Sequence, residues 1–195
     1  SREGKKLRSV DVLDIINIIG SIVVAGNVRR SAQIAIGDPD DYLYIRAKRW
    51  DLGNIPNWRA MSNNSIDADS YEQISDDIWK GYDGNGEPYG FINTKLMQTQ
   101  GRLGEKINDD CEGVNPCGEI SLESYECCNL SEVFLNNIQS KEQLIEVTKL
   151  LFKTQKAICL LPFIHKETEK IVRKNMRIGL SVSGICQVLG TDDLD

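Results

Sequence analysis

The chain has 195 residues, 23 Lys and Arg against 29 Asp and Glu, and a formal charge of −6. With 41% hydrophobic and 27% charged residues, it has the make-up of one ordinary globular domain with a packed core, which excludes disordered, collagen-like and low-complexity classes. An acidic chain with one small basic cluster at Lys5 and Lys6 is ill suited to sequence-independent nucleic-acid binding, and the longest apolar run, 15–28, is broken by Asn17, Gly20, Ser21 and Asn27, so no membrane span is expected. No signal peptide is expected either, and a cytoplasmic setting follows.

Ser9 is placed to cap a helix over 9–23, with Val12, Ile15, Ile16, Ile19 and Val23 at helical spacing and Gly26 at its end. A loop carries Asn27 to Ser31, and 32–36 alternates as a half-buried strand. Asp38 and Pro39 then stand at the cap and first turn of a helix reaching about Lys48. The spacing predicts a second strand within 58–66, a helix over 70–80, a glycine-rich turn over 81–90 and a helix over 91–100. The stretch 114–135 reads as two extended arms with a connecting loop. Ser140 opens a long amphipathic helix through 158, 166–174 is helical, 177–184 is a glycine-bounded apolar segment, and 185–189 begins another helix. Alternating helices and strands imply an α/β fold without an interdomain linker. Since 191–195 forms no convincing terminal element, the chain is expected to be a piece of something larger.

Six cysteines are too sparse for a secreted disulfide scaffold, yet Cys111, Cys117, Cys127 and Cys128 crowd into one short stretch. Their spacings lack the paired Cys-x-x-Cys knuckles of a zinc site, and His165, the sole histidine, is expected to be structural, so no metal site is expected. The informative string is Asn115-Pro116-Cys117-Gly118-Glu119-Ile120. Pro116 biases Asn115 toward extended backbone, and in an extended chain residues two apart face one side, so an amide, a thiol and a carboxyl would converge. Gly118 permits a tight excursion that would present the thiol on a loop tip. Such a trio could hold a hydroxylated substrate; an inert cysteine in a buried loop is the bland alternative. Cys128, with room for the chain to turn and return, could bring a second thiol to the same pocket and make redox chemistry possible. Side chains of Cys127 and Cys128 on a strand would face opposite ways, so one of them serves a given site.

These strings resemble the adenosylcobalamin-dependent, class II ribonucleotide reductases, most closely their monomeric ribonucleoside-triphosphate type. The matching runs are 26–32, Met61-Ser62-Asn63-Asn64-Ser65, Gly86-Glu87-Pro88, 115–120, Cys128-Asn129-Leu130 and Arg177-Ile178-Gly179-Leu180, in order along the chain. The resemblance implies that residues 1–195 are the central part of a ten-stranded α/β barrel, incomplete alone, with an effector region over about 1–50 and the catalytic finger loop and following strand over about 111–135. It implies that Cys117 becomes the thiyl radical, that Asn115 and Glu119 are its substrate-binding and acid-base partners, and that Cys128 is one of the reducing cysteines. The loop Asn27, Arg29, Arg30 and Ser31 would link a deoxynucleotide effector to the substrate base, and Ser62 and Asn63 would contact substrate.

The same resemblance implies reduction of a ribonucleoside di- or triphosphate to the 2′-deoxy form, a cobalamin surface mostly outside this chain, a thioredoxin-type reductant, and the remaining reductase segments as partners. The second reducing cysteine, the substrate phosphate-binding segment and the shuttle cysteines of the family are not in the sequence, Cys127 stands where the family commonly has proline, and Met176 where it commonly has arginine. A non-catalytic nucleotide-binding or interaction module derived from the same barrel is the alternative.

Overall fold

Helix α1 (Ser9–Val24) is capped by Arg8 rather than by the expected serine: the Arg8 backbone N–H donates to Asp11 Oδ2 at 2.8 Å, one turn into the helix. In this computed structural model residues 3–28, 30–84, 87–100 and 108–190 are described, and they fall into two units, 1–121 and 122–195.

The first unit is built on a three-stranded parallel sheet in the order β1 (Gln33–Gly37), β2 (Ser62–Asp67), β3 (Gly90–Ile92). β1 meets β2 from Gln33 beside Ser62 to Gly37 beside Ile66, and β2 meets β3 from Ser65 beside Gly90 to Asp67 beside Ile92. Parallel neighbours need long crossovers. The first contains the short helix α2 (Tyr42–Ile45) and the second α3 (Asp76–Gly81). α2 is far shorter than the helix expected from Asp38 to Lys48, because Asp38 accepts the Asp40 N–H and Asp41 is the working cap, taking the Leu43 and Tyr44 N–H groups at 3.1 Å. The helix expected over 70–80 likewise begins only after Ser75, whose hydroxyl accepts the Ile78 N–H.

A larger correction concerns 91–100. Phe91 and Ile92 belong to β3, and only Thr94–Gln100 (α4) is helical. Asn93 Oδ1 accepts the Leu96 N–H at 2.7 Å and Asp67 accepts the Thr94 N–H at 3.0 Å, so the helix is started from the sheet side. Phe91 packs among Trp79, Tyr82 and Tyr89, ring centroids 4.9 to 6.0 Å apart, and this packing overrides helical spacing.

Tyr44 joins β1 to β2. Its hydroxyl lies 2.6 Å from the Ala35 carbonyl and 2.9 Å from that of Ser65, and accepts the Ser65 N–H at 3.1 Å. Burial pushes its pKa up, holding it as a neutral phenol. A side chain at Gly37 would stand 2.2 Å from the Tyr44 ring, so that position has room only for glycine. Ile45, Ile66, Ile78 and Tyr89 complete this core. Arg59 then ties the turn before β2 to α1 through two bonds to Asp14, at 2.6 and 2.8 Å, which Trp58 supplements at 2.9 Å.

In the second unit β6 (Asn129–Phe134) and β7 (Ile178–Ser183) pair in parallel, so the glycine-bounded segment is a strand. The crossover carries α5 (Lys141–Ile158), capped by Ser140 as expected, and α6 (Lys166–Asn175). From α5 the buried Gln155 amide donates to the Asn129 carbonyl at 3.0 Å and the Gly179 carbonyl at 2.6 Å, fastening both strands to the helix. Glu126 and Arg177 form an ion pair at 2.8 Å with side chains 0% and 1% exposed. Met176 ends α6 in the left-handed region, φ 49°. Its carbonyl is held by Lys156 at 2.6 Å. Short strands β4 (Gly113–Val114) and β5 (Ser121–Leu122) pair with each other, and α7 (Ile185–Leu189) follows β7. Among the described residues no helix is long and apolar enough to cross a membrane.

Two outcomes follow. Glu126→Ala leaves the Arg177 guanidinium buried without its carboxylate and should destabilise the second unit by about 3 to 5 kcal/mol in urea unfolding. The Arg59 hydrogen bonds hold the Asp14 carboxyl below the usual carboxylate range. A depressed folded pKa adds stability that is present above the unfolded value, about pH 4, and is lost as pH falls through the folded one. Protection of α1 against amide exchange, taken relative to the intrinsic rate at each pH, should therefore fall on acidification below about pH 4, and Asp14→Asn should remove that part of the acid response.

Candidate active site

The string Asn-Pro-Cys-Gly is a turn sequence in its own right, with a side-chain acceptor first, proline second and glycine fourth. The structure builds that turn. The Gly118 N–H donates to the Asn115 carbonyl at 2.8 Å, and Gly118 takes φ +87°, a region costly for any residue with a Cβ. One step outward the Asn115 N–H donates to the Ile120 carbonyl at 3.0 Å, and the Ile120 N–H donates to Asn115 Oδ1 at 2.9 Å. The backbone at 115–120 is therefore folded, not extended, and the alternation argument for Asn115, Cys117 and Glu119 does not describe it. The expected loop tip is what forms: Cys117 is an exposed free thiol, with exposed Glu119 two residues on. Asn115 is buried, 7% exposed, with its carbonyl, N–H and side-chain oxygen all used to hold the turn.

The turn is also held from the sheet. Asn63 Nδ2 donates to the Pro116 carbonyl at 2.6 Å. Strand alternation sends Ser62 the other way: it is 2% exposed, its hydroxyl donates to Asn64 Oδ1 at 2.9 Å and accepts from Asn17 Nδ2 at 3.1 Å, and its carbonyl takes the Lys48 ammonium at 2.8 Å. Of the two residues assigned to substrate by resemblance, Asn63 thus joins the thiol turn and Ser62 joins a buried network under α1. Sequence reasoning missed Asn17 and Lys48. The signal for Asn17 was an amide on the otherwise apolar inner face of a helix, where burial demands a partner.

Beyond α1, Asn27 takes φ 53° and lines a pocket of about 360 Å³ with Val24, Arg30 and Ser31. This gathers three of the four proposed effector-loop residues at one opening; Arg29 and the Gly86 of the Gly-Glu-Pro run lie outside the described residues. In the second unit Cys127 and Cys128 both precede β6, so strand alternation does not govern them. Cys128 is half-buried, and burial, with Cys159 and Glu126 adding to it, pushes the Cys127 thiol pKa up. His165 stands exposed just ahead of α6 without capping it through its side chain.

A family model described as ribonucleotide reductase, barrel domain, matches residues 52–194. The chain is 43% identical over 192 residues to the adenosylcobalamin-dependent ribonucleoside-triphosphate reductase of Lactobacillus delbrueckii subsp. bulgaricus, covering 95% of this chain and 25% of that protein. The protein of the same name from Lactobacillus gasseri is 42% identical, with 94% and 25% covered. A crystal structure of a B-12 dependent (class II) ribonucleotide reductase superposes with a TM-score of 0.73 at 38% identity, over 95% of this chain and 26% of that one. The chain belongs to the ribonucleotide reductase family, as part of its barrel domain. It spans about a quarter of the length of the relatives it matches, and its sheets of three, two and two strands leave the barrel open among the described residues.

The Asn115 oxygen is an acceptor, so the turn needs an acceptor there and not an amide as such. Asn115→Ala should speed amide exchange at Ile120 by about fivefold, the loss of a bond of about 1 kcal/mol, whereas Asn115→Asp should leave it near the starting rate. Equal acceleration in both would remove the side-chain clamp.

Proposed function

We propose that this chain carries the radical-bearing thiol of an adenosylcobalamin-dependent reductase that converts ribonucleoside triphosphates to 2′-deoxyribonucleoside triphosphates. The observation that carries the reading is the Cys117 thiol, exposed at the tip of a turn braced by Asn115, with open space where a Gly118 side chain would stand. That opening suits a bulky cofactor held mainly by other segments, with Cys117 the group of this chain that meets it. When bound, adenosylcobalamin supplies a one-electron oxidant.

Cys117 would give its sulfur hydrogen atom, one electron and one proton, to that oxidant and, as a thiyl radical, take the C3′ hydrogen of the bound nucleotide. Glu119, two residues along the same turn, accepts the 3′-hydroxyl proton while the 2′-hydroxyl leaves as water. Two thiols then give two electrons and two protons to the nucleotide and become a disulfide; Cys128 is one, and the other lies on a segment outside this chain. Cys117 then returns the hydrogen atom to C3′ and is left as the thiyl radical, which recovers the sulfur hydrogen it gave up at the outset. A thioredoxin-type protein would reduce the disulfide, in a cytoplasm that keeps thiols reduced. Asn27, Arg30 and Ser31, with Arg29, would read a deoxynucleotide effector, since guanidinium groups both pair with phosphate and stack on bases. A module for binding alone leaves Cys117, Glu119 and Cys128 without a purpose.

The test is nucleotide reduction by the chain reconstituted with the segments that complete a reductase. Cys117→Ser should abolish reduction, because a hydroxyl is not oxidised to an equivalent radical. Glu119→Gln should slow it by about 100- to 10,000-fold, the usual cost of losing general acid-base catalysis. Cys128→Ser should stop multiple turnover while hydrogen exchange between cofactor and solvent persists. Wild-type reduction in Cys117→Ser would sink the radical assignment.

A further inference from the structure

We infer that Asn63 is the positioning residue of the Cys117 thiol, holding the peptide that enters it from the central strand of the sheet. This rests on the reductase reading above, and gives Asn63 a different part from the substrate contact that resemblance implied.

The bond in question runs 2.6 Å from Asn63 Nδ2 to the carbonyl of Pro116, the oxygen of the Pro116–Cys117 peptide. Consider what sets the position of the sulfur. The proline ring holds φ of Pro116 near −65°. The direction of the Pro116 carbonyl is then governed by one torsion, ψ of Pro116, and Asn63 fixes that direction. On the far side of Cys117, the Gly118 N–H is fixed by its 2.8 Å bond to the Asn115 carbonyl. With the peptides on both sides held, the sulfur is left with rotation about χ1.

Asn63 is well suited to this. Ser62, Asn64, Ser65 and Ile66 around it are buried, and β2 is hydrogen-bonded on both sides, by β1 and β3. Its backbone pairs beside Ile34 in the ladder. The amide therefore projects from the most constrained strand of the first unit, with its exposed side chain turned from the α1 side that receives Ser62 and Asn64. Asn115 closes the turn on itself; Asn63 ties the closed turn to the sheet. Hydrogen transfer requires the donor and acceptor atoms at near-contact distance, and a misplacement of about 1 Å costs about 100-fold, so a thiol on an untethered turn would be poorly placed.

The donor is the essential element. Asn63→Ala removes it, and Asn63→Asp keeps the size but sets a carboxylate oxygen against the Pro116 carbonyl oxygen. In the reconstituted enzyme both variants should lower kcat by about 10- to 100-fold with the nucleotide KM within about twofold, and both should speed amide exchange at Gly118. A raised KM with kcat unchanged would return Asn63 to substrate contact and overturn the proposal. So would unchanged exchange, or faster exchange with unchanged kcat. Asn63→Asp keeps the test open should the alanine variant fold poorly. If the unaltered reconstituted protein reduces no ribonucleotide, the reductase reading fails separately, and exchange at Gly118 still decides whether Asn63 holds the turn.

Discussion

Strand β2 has to satisfy two faces at once, and the arrangement of the first unit follows from how it does so. A strand offers alternate side chains to opposite sides. On one side Ser62 and Asn64 form a buried polar network with Asn17 of α1, while on the other Asn63 reaches the Pro116 carbonyl. A one-residue slip in the register of β2 against β1 would exchange these faces, burying Asn63 and turning Ser62 toward the thiol turn. The in-register pairing from Gln33 beside Ser62 to Gly37 beside Ile66, pinned by Tyr44 between the Ala35 and Ser65 carbonyls, is therefore a condition of the site as much as of the fold.

The turn at 115–118 follows the same economy of means. Its four residues carry their own conformational instructions: proline restricts one torsion, glycine accepts the left-handed region, and asparagine provides a short side-chain acceptor. The Cys117 side chain is excused from holding the turn, since none of these bonds uses its sulfur. A side chain whose neighbours do the structural work stays open to solvent, and rigid support from those neighbours fixes where it sits.

The second unit uses buried polar groups to a similar end. Gln155 bridges two strand carbonyls, and Glu126 is paired with Arg177 where neither side chain is open to water. Glu123, a few residues earlier, takes Lys174 at 2.8 Å and Asn175 at 3.1 Å. The segment 123–126, which leads into Cys127 and Cys128, is thus fastened to the end of α6 and the start of β7. Unpaired, such buried groups would each be costly, so they specify one arrangement of this segment rather than simply adding stability.

Much of this was legible from residues alone. The long helix after Ser140, the strand near 33–36, the cysteine on a glycine-bearing loop tip and the family resemblance all rest on local signals: caps, alternation, turn chemistry and short strings. Local signals fail where distant groups compete for the same backbone. Phe91 and Ile92 continue a helical spacing by themselves but are drawn into β3, because the aromatic cluster packs around Phe91 and Asp67 and Asn93 start the helix after them. The proposed long helix from Asp38 contracts to four residues because Asp41 outcompetes Asp38 for the first N–H groups. Asn63 shows the same limit at the site. Nothing within a few residues of it indicates that its amide serves a carbonyl 53 positions away. The parallel sheet decides that, since register sets which face each residue of β2 presents.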